Sequence, residues 1–265
     1  MFPIFVFGIR IFYRKLVFMK VEIVENKNLA CIKVANALHQ QILKKKNSTI
    51  GLATGNTMRG VYDAFKVLVQ EHKTDLSSVK FFMLDEYWDI SIDHPASFKS
   101  YLVNALSGLG IDLKQFHFHR TDLPAEEATL HYNKAIEAAG GIDLQLLGIG
   151  LNGHIGFNEP MTPFHQTTHV TPLTESTIQA NAQDFMGANP TRAITMGIKN
   201  IMDAKSIVLL ALGESKSEIM KRALQGAIDT ECPASVLQKH QNLNVVLDQL
   251  AASKMTVRSA AESRI

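Results

Sequence analysis

Cysteine, tryptophan and proline are scarce in this 265-residue chain, which holds 2, 1 and 8 of them respectively. Cys31 and Cys232 are too few for a disulfide framework and match no metal-ligand or C-x-x-C spacing, so they read as reduced thiols of a cytoplasmic protein. No uncharged apolar run reaches the 18 or so residues that a membrane span needs. An excess of one charge is missing too: 27 Lys and Arg face 25 Asp and Glu, for a net charge of +2. The cations are scattered rather than gathered into a stripe, which argues against nucleic acid. No internal repeat and no low-complexity linker interrupts the chain. With 46% hydrophobic and 20% charged residues it is too apolar for disorder, and it reads as an ordinary globular protein.

Residues 1–18 stand apart. They carry five of the 14 phenylalanines, three basic residues and no acid. The apolar stretch precedes most of the charge and no small-residue cleavage site follows, which is the reverse of a signal peptide. This stretch is expected to be a disordered leader or the product of a mis-assigned start, with Met19 opening the first strand. Without it the net charge falls from +2 to −1, so the mild basicity implies no partner. Residues 19–250 are expected to form a single α/β domain. Residues 251–265, polar and rich in small side chains, are expected to be a disordered tail.

Between these ends, short apolar strands alternate with helical patterns. Strands are expected near 19–24, 48–53, 79–84, 142–149, 206–212 and 244–247. Helices are expected over 29–45, from 57 to 69, and over 97–107, 125–139 and 215–225, with a loop region between 155 and 205. Leu29, Ile32, Val34, Ala37, Leu38 and Ile42 mark the buried face of the first helix. The alternation implies a doubly wound, mostly parallel sheet flanked by helices. Such folds bind ligands beyond the carboxyl ends of their strands, near the point where strand order reverses.

Four of these strand ends carry polar clusters. Thr54-Gly55-Asn56-Thr57 is a glycine turn leading into a helix, where free amides and hydroxyls suit an anion or simply cap the helix. It is neither a Walker loop nor a dinucleotide fingerprint. Asp85-Glu86-Tyr87 ends an apolar strand. Alone it reads as an exposed strand end with a helix-capping Asp, and in a dry pocket as a general base. Gly150-Leu151-Asn152-Gly153-His154, followed by Asn158-Glu159-Pro160, sets glycines around one imidazole and supplies a carboxylate five residues later. That combination suits proton transfer. Lys216 follows the fourth strand and either adds a cation to an anion site or is merely solvated. No metal is expected, because no H-E-x-x-H motif and no second histidine accompany His154. Phe116-His117-Phe118-His119 reads as a solvated edge strand.

Together, ATGNT, LDEYWDI with HPASF, and LLGIGLNGHIGFNEP resemble the glucosamine-6-phosphate deaminase (isomerase) family from about Lys20 to Asp248. The related 6-phosphogluconolactonases are typified by Asp-Glu-Arg where Asp85-Glu86-Tyr87 stands, and lack the Phe157-Asn158-Glu159-Pro160 sequel. The resemblance implies a Rossmann-like fold and conversion of an amino-sugar 6-phosphate to a ketose 6-phosphate with release of ammonia, without cofactor or metal. It implies Asp85 as the base at C2, and His154, oriented by Glu159 and supported by Asn152, as the group that opens the ring. Thr54, Gly55, Asn56, Thr57 and Lys216 would hold the phosphate, with Glu86 and Gly150 also against the substrate.

The departures bear on the sugar. Asn56 and Met58 stand where the family often has Gly and Pro. Gln183 stands where it carries a phosphate-contacting Arg, and Thr167 and Thr168 lie in a stretch that is often arginine-bearing. With the Thr191–Ile201 stretch, these resemble a galactosamine-6-phosphate isomerase branch. Glucosamine 6-phosphate is therefore the expected substrate and galactosamine 6-phosphate the alternative. A lactonase or a non-catalytic sugar-phosphate regulator comes after these. No allosteric activation is expected, and the oligomeric state is left open.

Overall fold

A computed structural model describes residues 10–13, 19–181 and 185–256. The chain opens with β1 (Arg10–Tyr13), β2 (Met19–Val24), α1 (Lys27–Lys44), β3 (Thr49–Leu52) and α2 (Asn56–Glu71). It continues through β4 (Lys80–Met83), β5 (Asp85–Tyr87), α3 (Phe98–Ala105), β6 (Phe116–His117), α4 (Ala125–Ala138) and β7 (Leu144–Leu147). Then come β8 (His169–Pro172), α5 (Glu175–Asn181), β9 (Arg192–Thr195), α6 (Ile198–Met202), β10 (Ile207–Ala211), α7 (Ser217–Gln225) and β11 (Leu243–Asp248).

The large sheet has the order β1-β2-β11-β10-β7-β3-β4-β6. Every pairing from β2 to β6 is parallel, so seven strands form the expected doubly wound sheet. Its central strands read TIGL, LQLL and IVLLA and are buried throughout. Continuous burial replaces alternation because helices cover both faces. Gly51 of β3 is required by that packing: a Cβ there would lie 1.9 Å from the buried Gln145 side chain of β7. In chain order the strands run outward from β3 through β4 to β6, then return to the other side of β3 at β7. The reversal therefore falls between β3 and β7, and the four polar clusters follow the adjacent strands β10, β7, β3 and β4.

Three features depart from the sequence reading. The expected loop region contains β8 and β9, and β9 pairs antiparallel with both β5 and β8 to form a second sheet. Tyr87, Phe157, Leu173, Phe185 and Ala193 form a separate small core beneath it. On α1 the buried residues are Ala30, Cys31, Val34, Ala35, Leu38, His39 and Ile42, whereas Leu29 and Ile32 are exposed. Cys31 packs on Gly60 of α2, where an added Cβ would lie 2.9 Å from its sulfur, while Leu29 and Ile32 point outward. Finally, His119 is buried rather than solvated, and stacks on Tyr132 with ring centroids 3.8 Å apart.

The chain ends also differ from expectation. Arg10–Tyr13, within the expected disordered leader, pairs antiparallel with β2 at the sheet edge. Ala251 and Ala252, within the expected tail, are buried, and Ala251 donates its amide to Asp248. The rest of both segments, 1–9, 14–18 and 257–265, lies outside the described residues. Both cysteines are buried free thiols. No described helix is long and apolar enough to cross a membrane.

Asp143, at the start of β7, ties the far end of the sheet. Its carboxylate accepts from the Thr49 amide at 2.8 Å, from Lys45 at 2.5 Å and from Lys205 at 2.8 Å. Burial would raise its pKa, but the two ammonium groups and the amide outweigh that and lower it. The lysines are partly exposed, so the buried Thr49 amide left without an acceptor dominates the cost of removing the carboxylate. Asp143→Ala should therefore lose about 2 kcal/mol in urea unfolding at neutral pH. The deficit should shrink as pH falls through the depressed pKa, where the wild-type carboxylate takes up its proton.

Candidate active site

A cleft of about 1080 Å³ opens over the carboxyl ends of β10, β7, β3 and β4. Thr54, Gly55, Asn56, Thr57, Asp85, Gly150, Asn152, His154 and Lys216 all line it. Glu159 is buried behind His154. Sequence positions spread over 160 residues thus meet because their strands are neighbours.

Gly55, with φ +92°, precedes α2 without a side-chain cap, and the first turn of the helix, Asn56 to Met58, lines the cleft. Tyr101 of α3 donates its hydroxyl to the Gly55 carbonyl at 2.9 Å, fixing that peptide. Lys216, the residue immediately before α7, reaches in and donates to the Ile149 carbonyl at 2.6 Å. Burial pulls its pKa down from the usual lysine value. Thr167 and Thr168 are outside the cleft lining: Thr168 is buried and donates to Asn200. Gln183 lies outside the described residues.

Asp85 follows Leu84, where the chain leaves the large sheet. The Leu84 amide donates to Leu52 of β3, while the Leu84 carbonyl accepts from the Met196 amide of the small-sheet side. Asp85 is buried, and its Oδ1 has no hydrogen-bond partner among the described residues. Burial, followed by the neighbouring charge of Glu86, pushes its pKa up to about 8. A carboxylate in that state is a far stronger base than one in water.

Glu86 does not join the cleft, contrary to expectation. Side chains alternate along β5, so Glu86 points away from the face Asp85 presents and is completely buried. It accepts the Phe98 and Lys99 amides at the start of α3, each at 2.9 Å. The helix-capping acid of this motif is thus the second carboxylate, not the first.

The imidazole is held from three sides. A Cβ on Gly150 would lie 2.3–2.5 Å from the His154 ring, so glycine there lets the ring lie flat against the backbone. Glu159 Oε1 stands 3.5 Å from His154 Nδ1. Asn152 bridges the loop, donating to Glu159 at 2.7 Å and accepting the His154 amide at 3.1 Å. Burial alone would raise the pKa of Glu159. The imidazole, the Thr177 hydroxyl at 2.5 Å and the Asn152 amide instead hold it at about 2. Glu159 is therefore an ionised orienter for His154, not a proton donor.

Sequence reasoning missed Tyr101, Thr174 and Thr177. The two threonines reach Glu159 from the start of α5, 15 and 18 residues along the chain, and no spacing rule connects them. Among the described residues no cluster of three or more His, Cys, Asp or Glu could hold a metal ion. Gly150→Ala should displace the His154 ring by roughly 1 Å to restore ordinary carbon contact. A crystal structure of that variant with an unmoved imidazole would refute the packing argument.

Comparison with known proteins identifies the family. A family model described as glucosamine-6-phosphate isomerases/6-phosphogluconolactonase matches residues 26–246. A glucosamine-6-phosphate deaminase of Thermoanaerobacter sp. (strain X514) is 43% identical over 241 residues, covering 89% of this chain and 94% of that protein. Another, from Clostridium botulinum (strain Loch Maree / Type A3), is 38% identical over 245 residues, covering 91% of this chain and 100% of the relative. A solved monomeric glucosamine-6-phosphate deaminase superposes with a TM-score of 0.86 at 35% identity, covering 88% of this chain and 99% of that one. The 6-phosphogluconolactonase from Plasmodium vivax shares the fold, with a TM-score of 0.70 at 20% identity over 91% of this chain and 95% of that one. With most of its length matched by the family model, and the resembling motifs gathered in one cleft, this chain belongs to the glucosamine-6-phosphate isomerase/6-phosphogluconolactonase family.

Proposed function

We propose that this chain converts glucosamine 6-phosphate and water to fructose 6-phosphate and ammonia. The observation that carries the reading is the pairing of two proton-transfer groups in one cleft. One is a buried basic carboxylate, Asp85; the other is an imidazole, His154, held by an ionised glutamate. The extent and level of identity to relatives named as deaminases support the same reaction.

The phosphate dianion suits the α2 amides and the Thr54 and Thr57 hydroxyls, with the Lys216 ammonium adding charge. His154 takes the proton of the anomeric hydroxyl and returns it to the ring oxygen as the bond between C1 and that oxygen breaks, giving the open-chain aldehyde. Asp85 then takes the proton from C2. The electrons of that bond form a C1–C2 enolamine while the carbonyl oxygen gains a proton. Return of a proton to C1 leaves an imine at C2. Water adds there, the C–N bond breaks, and ammonia leaves with the ketose phosphate as product. The step at C2 needs a base close to its weakly acidic C–H, and burial supplies the basicity.

Galactosamine 6-phosphate, the C4 epimer, is the second reading, on the strength of Gln183 and the Thr191–Ile201 stretch. Ammonia release should be measured with both epimers in parallel, together with the ketose each must give: fructose 6-phosphate from the gluco sugar and its C4 epimer, tagatose 6-phosphate, from the galacto sugar. Turnover of glucosamine 6-phosphate should fall by 10²-fold or more in Asp85→Asn. Turnover of the galacto epimer alone would reassign the sugar. Turnover of neither by the folded protein would remove the deaminase reading, and acid release from 6-phosphogluconolactone would then replace it. Since Asp85 must be ionised to act, kcat/KM should rise with pH well past the ordinary carboxylate range, towards about 8.

A further inference from the structure

Two buried carboxylates stand side by side on β5, and only one of them faces the cleft. Glu86 Oε1 accepts the amides of Tyr87 and Phe98, and Oε2 accepts that of Lys99, all at 2.9 Å. Phe98 and Lys99 begin α3, which already has a local cap, since the Ser97 hydroxyl accepts the Ser100 amide at 3.0 Å. A fully buried glutamate is an expensive way to satisfy amides that a serine or asparagine could cap. Capping alone therefore leaves the choice of residue unexplained. Helix α3 in turn lines the cleft with Phe98, Tyr101 and Asn104, and Tyr101 holds the Gly55 carbonyl of the anion turn.

We propose that Glu86 is a positioning residue for the proton transfer at C2. From behind β5 it locks α3 against the strand that bears Asp85 and sets a negative charge beside the base. The inference rests on the isomerase-deaminase reading of the site. Three amide donors favour the ionised form of Glu86, whereas Asp85 Oδ1 has none, so Glu86 releases its proton first. Asp85 then titrates beside an existing charge, and the two behave as a coupled pair. Burial lifts both, Glu86 to about 7 and Asp85 to about 8.

The other titratable groups around the pair leave it anionic. Tyr62 of α2 and Tyr132 of α4 stay neutral, their pKa values raised by burial. They donate to the Ala53 and Met83 carbonyls. Burial drops His119 to about 3, leaving it uncharged beside the Leu84 carbonyl. His169, on β8 of the small sheet, is also lowered by burial. The Lys99 ammonium pairs with Asp93 at 2.5 Å, and across the cleft His154 faces Glu159.

Glu86→Gln keeps an oxygen for the Tyr87 and Phe98 amides and removes the charge. The acid limb of kcat/KM for glucosamine 6-phosphate should then move to lower pH by about one unit. A lower plateau with the limb unmoved would leave Glu86 a merely structural cap and overturn the proposal. The wild type supplies a test that needs neither a Glu86 variant nor turnover. In protein labelled with ¹³C at aspartate carboxyls, the resonance absent from Asp85→Asn should titrate in two steps, both above the ordinary aspartate range. A single step within that range would overturn the coupling. Two steps without turnover of either epimer would sink the deaminase reading alone, while a single step with turnover would sink only this inference.

Discussion

The backbone of one residue, Leu84, joins the two halves of the architecture. Its amide completes the parallel sheet by bonding Leu52, and its carbonyl accepts the first amide beyond β9. His119 reaches the same carbonyl at 3.3 Å from the other side. A strand that stopped at Met83 would leave Asp85 on a loose turn. A strand that continued in the large sheet would have no turn on which to expose it. Switching sheets at Leu84 holds the next residue by hydrogen bonds in both directions while leaving its side chain over the cleft. The basicity of Asp85 depends on that rigidity, because a mobile carboxylate would find water and lose the effect of burial.

Burying so many polar groups is costly, and the structure offsets it locally. Glu159 accepts from Asn152, Thr174 and Thr177 and faces the His154 ring, so both of its oxygens are met by donors. The small core contributes packing close to the site: Tyr87 lies 4.6 Å from Phe98, 5.3 Å from Phe185 and 5.7 Å from Phe157 between ring centroids. Pairs of this kind add about 0.5–1.5 kcal/mol each beyond burial. Asp85, like the His154 Nδ1 that faces Glu159 at 3.5 Å, departs from this pattern. Its uncompensated oxygen is the strain that the reading of its chemistry requires.

Much of the main sheet was legible because its strands are short apolar runs and its helices have clear periodicity. The GIGLNGHIGFNEP motif likewise brought His154, Asn152 and Glu159 together within eight residues, close enough for local geometry to be read. The small sheet was not legible. Asp85–Tyr87 is three residues long, and HVTP of β8 holds a proline and is only partly buried, so neither gives a periodic signal. Glu86 was misplaced for a related reason. Two adjacent acids look equivalent in a sequence, and only the pairing of β5 with β9 fixes which one faces the ligand. Tyr101 and Thr177 act through contacts 46 and 18 residues apart, which no local pattern encodes.

The small sheet has a thermodynamic consequence of its own. It shares only Asp85–Tyr87 with the continuous run of β4, and its core is separate from the large one. Such a unit can open while the parallel sheet remains closed, as a sub-global excursion with a free energy below that of full unfolding. Opening would hydrate Asp85 and break the Leu84–Met196 bond. Heat or mild denaturant would then silence the enzyme reversibly while most of its helices stayed intact, separating loss of activity from loss of fold.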